Sequence, residues 1–182
     1  MKKVTLLGDS IRLNYEGRVT ELLKDEYTVF RYDDNGRFAQ YTLRSLFDYK
    51  SFIEGSDVIH WNNGLWDVCD LFGDGPFTPL DEYVANMLRI ADILLGTSKK
   101  VIFATTTPTH PDMPGHDVER TRLYNETLVP LLRKKGIVIN DLFSLMLPHR
   151  LDGLRDDMIH LNDLGKELCS RQVAECIRSQ LS

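Results

Sequence analysis

Five short apolar runs, each separated from the next by a longer stretch of helical periodicity, restrict this chain more than any other feature. They are Val4-Thr5-Leu6-Leu7, Tyr27-Thr28-Val29-Phe30, Val58-Ile59-His60-Trp61, Val101-Ile102-Phe103-Ala104 and Ile137-Val138-Ile139. Runs so short and so continuously apolar suit strands covered on both faces, not the alternation of a sheet with one wet face. Helical patterns fill the intervals: Val19, Leu22 and Leu23; Leu43, Leu46, Phe47 and Phe52; Leu80 to Leu95, with Tyr83, Met87, Ile90 and Leu94 on one face; and Arg120 to Leu132. A last helix is expected from Asn162, a good cap residue, to about Leu181. Strands alternating with helices give a parallel sheet joined by right-handed crossovers. The expectation is a three-layer α/β/α sandwich, one domain over residues 1–182, whose five-stranded parallel sheet has the flavodoxin-like order 2-1-3-4-5.

Composition narrows the function classes. The formal charge is −5, with basic pairs only at Lys2-Lys3, Lys99-Lys100 and Lys134-Lys135. That balance gives no electrostatic reason to expect nucleic acid or an anionic membrane as partner. Three cysteines, Cys69, Cys169 and Cys176, make no disulfide framework and no CxxC metal pair. Cys169 and Cys176 are seven apart in a helical pattern and read as core. The N-terminus passes from Met1-Lys2-Lys3 into a strand with too little apolar length for a signal peptide, so a cytoplasmic protein is the expectation.

In an open parallel sheet, ligands bind at the carboxyl ends of the strands. The polar residues expected on that rim are Gly8-Asp9-Ser10, Asn35-Gly36, Asn62-Asn63-Gly64, Thr105-Thr106-Thr107 and the segment from Asn140 to His160. Ser10 follows the first strand in a tight turn into a helix. A serine there presents a hydroxyl that can attack and an N–H where negative charge is favoured, although it also serves as a plain helix cap. Asp157-Met158-Ile159-His160 adds a carboxylate three residues before a histidine. One turn brings the carboxylate onto one ring nitrogen and leaves the other as a general base. A rim serine near one end of the chain and a rim Asp/His pair near the other make a serine hydrolase the leading reading.

These residues together resemble the SGNH (GDSL-like) hydrolase superfamily, whose blocks begin with Gly-Asp-Ser and end with D-x-x-H before a C-terminal helix. The resemblance runs the length of the chain. It implies Ser10 as nucleophile, His160 as general base and acid, and Asp157 as the residue that orients the imidazole. It implies an oxyanion hole from the Ser10 N–H, the Gly36 N–H and an asparagine amide. The third block usually reads G-x-N-D, whereas Gly64-Leu65-Trp66-Asp67 has Trp66 where that asparagine stands. The string looks like a variant, N-x-G-L-x-D, in which the asparagine precedes the glycine. Asn62 is then the first candidate donor and Asn63 the alternative. The resemblance further implies an ester hydrolase that needs no metal or other cofactor, acting on a small-molecule ester.

Trp61 and Trp66 flank the third strand's end, where an aromatic can stack on a sugar or pack as wall. With family habit they make an O-acetylated carbohydrate the leading substrate class. Thr107 is a further candidate for substrate contact. His60 reads as a hydrogen-bonded structural histidine. His110, Asp112, His116 and Asp117 fall on the irregular loop from Thr107 to Asp117, which is expected to wall the pocket, and their spacing matches no regular metal site. A non-catalytic carbohydrate-binding domain on the same fold is the alternative, motivated by the altered third block. A nucleotide binder is the weakest reading, since G-x-G-x-x-G and a Walker lysine are absent.

Overall fold

A computed structural model of the chain describes residues 1–181. Its centre is an all-parallel sheet of five strands: β1 (Lys2–Gly8), β2 (Tyr27–Arg31), β3 (Val58–Asn62), β4 (Val101–Ala104) and β5 (Val138–Asn140). They lie in the order β2-β1-β3-β4-β5, as the alternating pattern predicts. The helices are α1 (Ser10–Leu23), α2 (Ala39–Asp48), α3 (Lys50–Ile53), α4 (Leu80–Leu95), α5 (Val118–Lys134), α6 (Leu142–Met146) and α7 (Asp163–Leu181).

The short runs are apolar throughout because both faces of the central strands are covered. Ile59, Trp61 and Phe103 point to one side, where they pack with Tyr49, Ile53, Tyr83, Met87 and Leu128 from α3, α4, α5 and the turn between α2 and α3. Val4, Leu6, Val58, Ile102 and Ala104 point to the other and meet α1, α6 and α7 through Tyr15, Val19, Met146 and Val173. Fully burying a side chain of this size contributes about 1.5–3 kcal/mol. In α1 the buried stripe recurs every fourth residue at Ile11, Tyr15, Val19 and Leu23. Cys169 lies in the same layer, with Cys176 packed partly buried against it.

Two elements differ from expectation. The helix predicted through Leu43 and Phe52 is broken at Tyr49 into α2 and α3, and Phe47 is 80% exposed instead of core. Tyr49 leaves helical geometry and its hydroxyl donates to Asp34 Oδ2 at 2.9 Å, a tie to the loop after β2. The short α6, capped by the Asp141 carboxylate, was not foreseen. Among the described residues no helix is long and apolar enough to cross a membrane.

Candidate active site

Ser10 sits where β1 hands over to α1. Gly8, the last strand residue, has φ +144°, and a Cβ there would stand 1.9 Å from Asn62 Oδ1. Only glycine allows β1 and β3 to end this close together. Asp9 then caps α1 by accepting the Ile11 N–H at 2.9 Å, so the helix begins at Ser10. The Ser10 N–H is one of the first-turn donors that a helix leaves without an intrahelical partner.

From the far end of the chain, His160 Nε2 comes within 2.9 Å of Ser10 Oγ. Its Nδ1 lies 2.9 Å from Asp157 Oδ2. Since a carboxylate accepts only, Nδ1 carries the hydrogen and Nε2 is left to accept the serine proton. Asp157 Oδ1 also accepts the backbone N–H groups of His160 (2.8 Å) and Ile159 (3.0 Å). Burial works against the Asp157 charge, but these N–H bonds and the imidazole outweigh it and hold the carboxyl below its ordinary range.

The loop carrying this pair is closed on itself. Leu154 and Leu161 form an antiparallel bridge, and the Arg155 N–H donates to His160 O at 2.7 Å. Met158 takes a left-handed conformation, φ +65°, at the tip of the turn. A non-glycine residue there costs on the order of 1–3 kcal/mol, and such strain concentrates at functional sites. Asn14 in α1 accepts the Leu161 N–H at 2.8 Å, which fixes the loop against the helix that begins with Ser10. Asn162 caps α7, as predicted, by accepting the Gly165 N–H at 3.1 Å.

Ser10 and His160 open onto a cavity of about 320 Å³. One wall is Leu65, Trp66, Cys69 and Leu71; the loop before α5 adds Met113, Pro114 and His116. That loop walls the pocket as expected. Asn35 and Ile159 complete the lining. A larger groove of about 740 Å³ beside α2 and α4 shares no residue with this site and is lined by no serine, cysteine or histidine.

Of the two tryptophans, Trp66 is on the cavity wall and 40% exposed, whereas Trp61 is wholly buried with its indole N–H on Asn63 Oδ1 at 2.7 Å. Thr107 is buried and does not line the cavity. His60 is buried and bonded through Nε2 to Asn140 Nδ2 at 3.1 Å. The Asp117 carboxylate caps α5, and His110 Nδ1 accepts the Asp112 N–H. Among the described residues no three His, Cys, Asp or Glu side chains are grouped to hold a metal ion.

Apart from the Ser10 N–H, the groups expected as oxyanion donors each make a hydrogen bond within the protein. The Gly36 N–H donates to Gly8 O at 2.9 Å. Asn62 Nδ2 donates to Asp9 Oδ1 at 2.7 Å, and Asn63 Nδ2 to Arg37 O at 3.0 Å. Neither asparagine lines the cavity. They join strand ends and loops beneath the site. Sequence reasoning missed two further supports. Asp67 accepts the Ala39 N–H at 3.0 and 3.1 Å and so caps α2, whose own cap residue, Phe38, has no acceptor side chain. Arg12, buried in α1, donates to Tyr32 O at 2.8 Å and also holds Asp34 O and Glu16. A lone arginine one turn into a helix carries no sequence signal of such a role.

No family model matches the chain. Over 160 residues it is 27% identical to the GDSL esterase/lipase WDL1 of Oryza sativa subsp. japonica, covering 79% of this chain. It spans 62%, about three-fifths, of the length of that relative. Among solved structures, the lipase/acylhydrolase from Enterococcus faecalis superimposes with a TM-score of 0.83 at 20% identity, covering 99% of this chain and 97% of that one. The acetyl xylan esterase AlAXEase gives 0.79 at 20% identity, covering 96% and 99%. In its Gly-Asp-Ser and D-x-x-H blocks and its sheet order the chain is similar to these GDSL esterase/lipases and acylhydrolases, and it shares the SGNH hydrolase fold.

Proposed function

We propose that this protein is a serine ester hydrolase in which Ser10 is the nucleophile, His160 the general base and acid, and Asp157 the group that orients and stabilises the imidazole. The observation that carries it is the unbroken hydrogen-bonded chain from Asp157 through His160 to Ser10 at the mouth of a cavity. Ser10 Oγ attacks the ester carbonyl carbon, its proton passes to His160 Nε2, and the carbonyl π pair moves to oxygen. Collapse expels the alcohol oxygen, which takes the proton from Nε2, and leaves an acyl-serine. Water attacks that ester, His160 again receives the proton, and Ser10 departs with it as the carboxylic acid is released. Asp157, held ionised by its N–H partners, favours the imidazolium formed at each step.

The substrate is a small ester that fits a cavity of about 320 Å³, near the lower end of ligand pockets. An O-acetylated carbohydrate is supported by the likeness to an acetyl xylan esterase and by Trp66 on the wall. It loses the support of Trp61, which is core. A carbohydrate-binding domain without catalysis gives no reason for the Ser10–His160 contact. The test is hydrolysis of an aryl acetate and of acetylated xylo-oligosaccharides by wild type and Ser10→Ala. Cleavage of at least the aryl ester by wild type alone is expected. Equal rates for the two proteins would overturn the reading.

A further inference from the structure

An ester hydrolase needs donors aimed at the oxygen that becomes negative, and of the four expected from the motif pattern one N–H is engaged and both asparagines lie buried outside the cavity. The Gly36 N–H is held by Gly8 O, Asn62 Nδ2 by Asp9 and Asn63 Nδ2 by Arg37 O. Each asparagine keeps a second N–H, but of that set only Ser10 lines the cavity. A single donor falls short of what a tetrahedral oxyanion ordinarily receives.

Asn35 carries a further side-chain amide. It lines the same cavity as Ser10 and His160. The bond from Gly36 N to Gly8 O puts the residue beside Gly36 next to the chain that leads into Ser10. The orientation of its amide is fixed. Asn35 Oδ1 accepts the Arg37 N–H at 2.9 Å, so oxygen is the end turned to the backbone and Nδ2 is the end left without a protein acceptor.

The segment is also held rigid. Asp34 Oδ1 accepts the Asn35 N–H at 2.7 Å, while Asp34 Oδ2 accepts the hydroxyls of Tyr41 (2.8 Å) and Tyr49 (2.9 Å). Arg12 grips the Tyr32 and Asp34 carbonyls from below. A donor fixed in place before the reaction is what electrostatic stabilisation of an oxyanion requires. We infer that the Asn35 side-chain amide, together with the Ser10 N–H, forms the oxyanion hole. The inference rests on the ester hydrolase reading.

Asn35→Ala and Asn35→Asp separate a donor from a turn-former. Aspartate keeps the acceptor for the Arg37 N–H but has no N–H to offer, and it adds negative charge where an oxyanion develops. With an aryl acetate, Asn35→Ala is expected to lower kcat roughly 100-fold or more. KM should move less than about 3-fold, since the interaction forms mainly in the transition state. Asn35→Asp should be at least as impaired while melting close to wild type. Turnover near the wild-type rate in Asn35→Asp would mean that the residue only shapes the turn, and would overturn the donor role alone. Wild type that is no faster than Ser10→Ala would overturn the hydrolase reading and the donor role with it.

Discussion

At the scale of single residues, the contacts of Ser10 with His160 and of His160 with Asp157 were legible and their surroundings were not. Ser10 was readable because a strand end fixes where a serine falls, and Asp157 with His160 because a three-residue return brings a carboxylate onto an imidazole. The positions of Gly36, Asn62 and Asn63 outside the cavity were not legible, because they depend on how three loops pair with one another. Asn62 sits at the right strand end, yet its amide is turned to Asp9 and the residue does not line the cavity. No spacing encodes that pairing. The Asp157 contact gives a sharp expectation. Asp157→Asn should keep the loop closed and lower kcat by about 100- to 10,000-fold, because a neutral amide neither selects the reactive tautomer nor stabilises the imidazolium. Steady-state kinetics on an aryl ester measure it, and a loss of less than about 5-fold would mean that Asp157 does not support the base.

At the scale of elements, the five strands and the long helices followed from apolar periodicity, since both-face burial leaves a signal in every residue. The break at Tyr49 and the short α6 did not, because each is tied by side-chain bonds to a distant loop: Tyr49 to Asp34, and Asp141 to Thr105. The turn from β1 into α1 is the most constrained junction. Gly8→Ala would force a Cβ against Asn62 Oδ1 and O at a positive φ. Overpacking and backbone strain together should cost about 2–5 kcal/mol. Chemical denaturation with urea checks this, and a variant within about 1 kcal/mol of wild type would show that β1 and β3 can separate at their ends.

At the scale of the whole molecule, two buried groups oppose each other in pH. Burial pushes the His60 imidazole down to about 3 from 6.5. The unfolded chain therefore takes up a proton that the fold refuses, and this contribution to stability, complete above about pH 6.5, declines as pH falls towards about 3. Burial likewise raises the Asp67 carboxyl to about 6 from 3.8, in spite of its hydrogen bonds. Its contribution is complete below about pH 3.8 and is lost as pH rises through about 6. Between pH 6 and 4 the two largely offset each other, because the unfolded chain protonates His60 over the same range in which the folded protein protonates Asp67. On acidification across that range, urea midpoints should fall in Asp67→Asn and rise in His60→Gln relative to wild type; an unchanged slope in His60→Gln would remove the histidine from the balance. The whole fold serves to bring residue 10 against residue 160, and the most direct test of that claim is covalent labelling of the intact protein. A fluorophosphonate should add once, at Ser10 by peptide mapping, with labelling abolished in Ser10→Ala and strongly slowed in His160→Ala. No adduct on wild type, or an adduct that persists in Ser10→Ala, would contradict it.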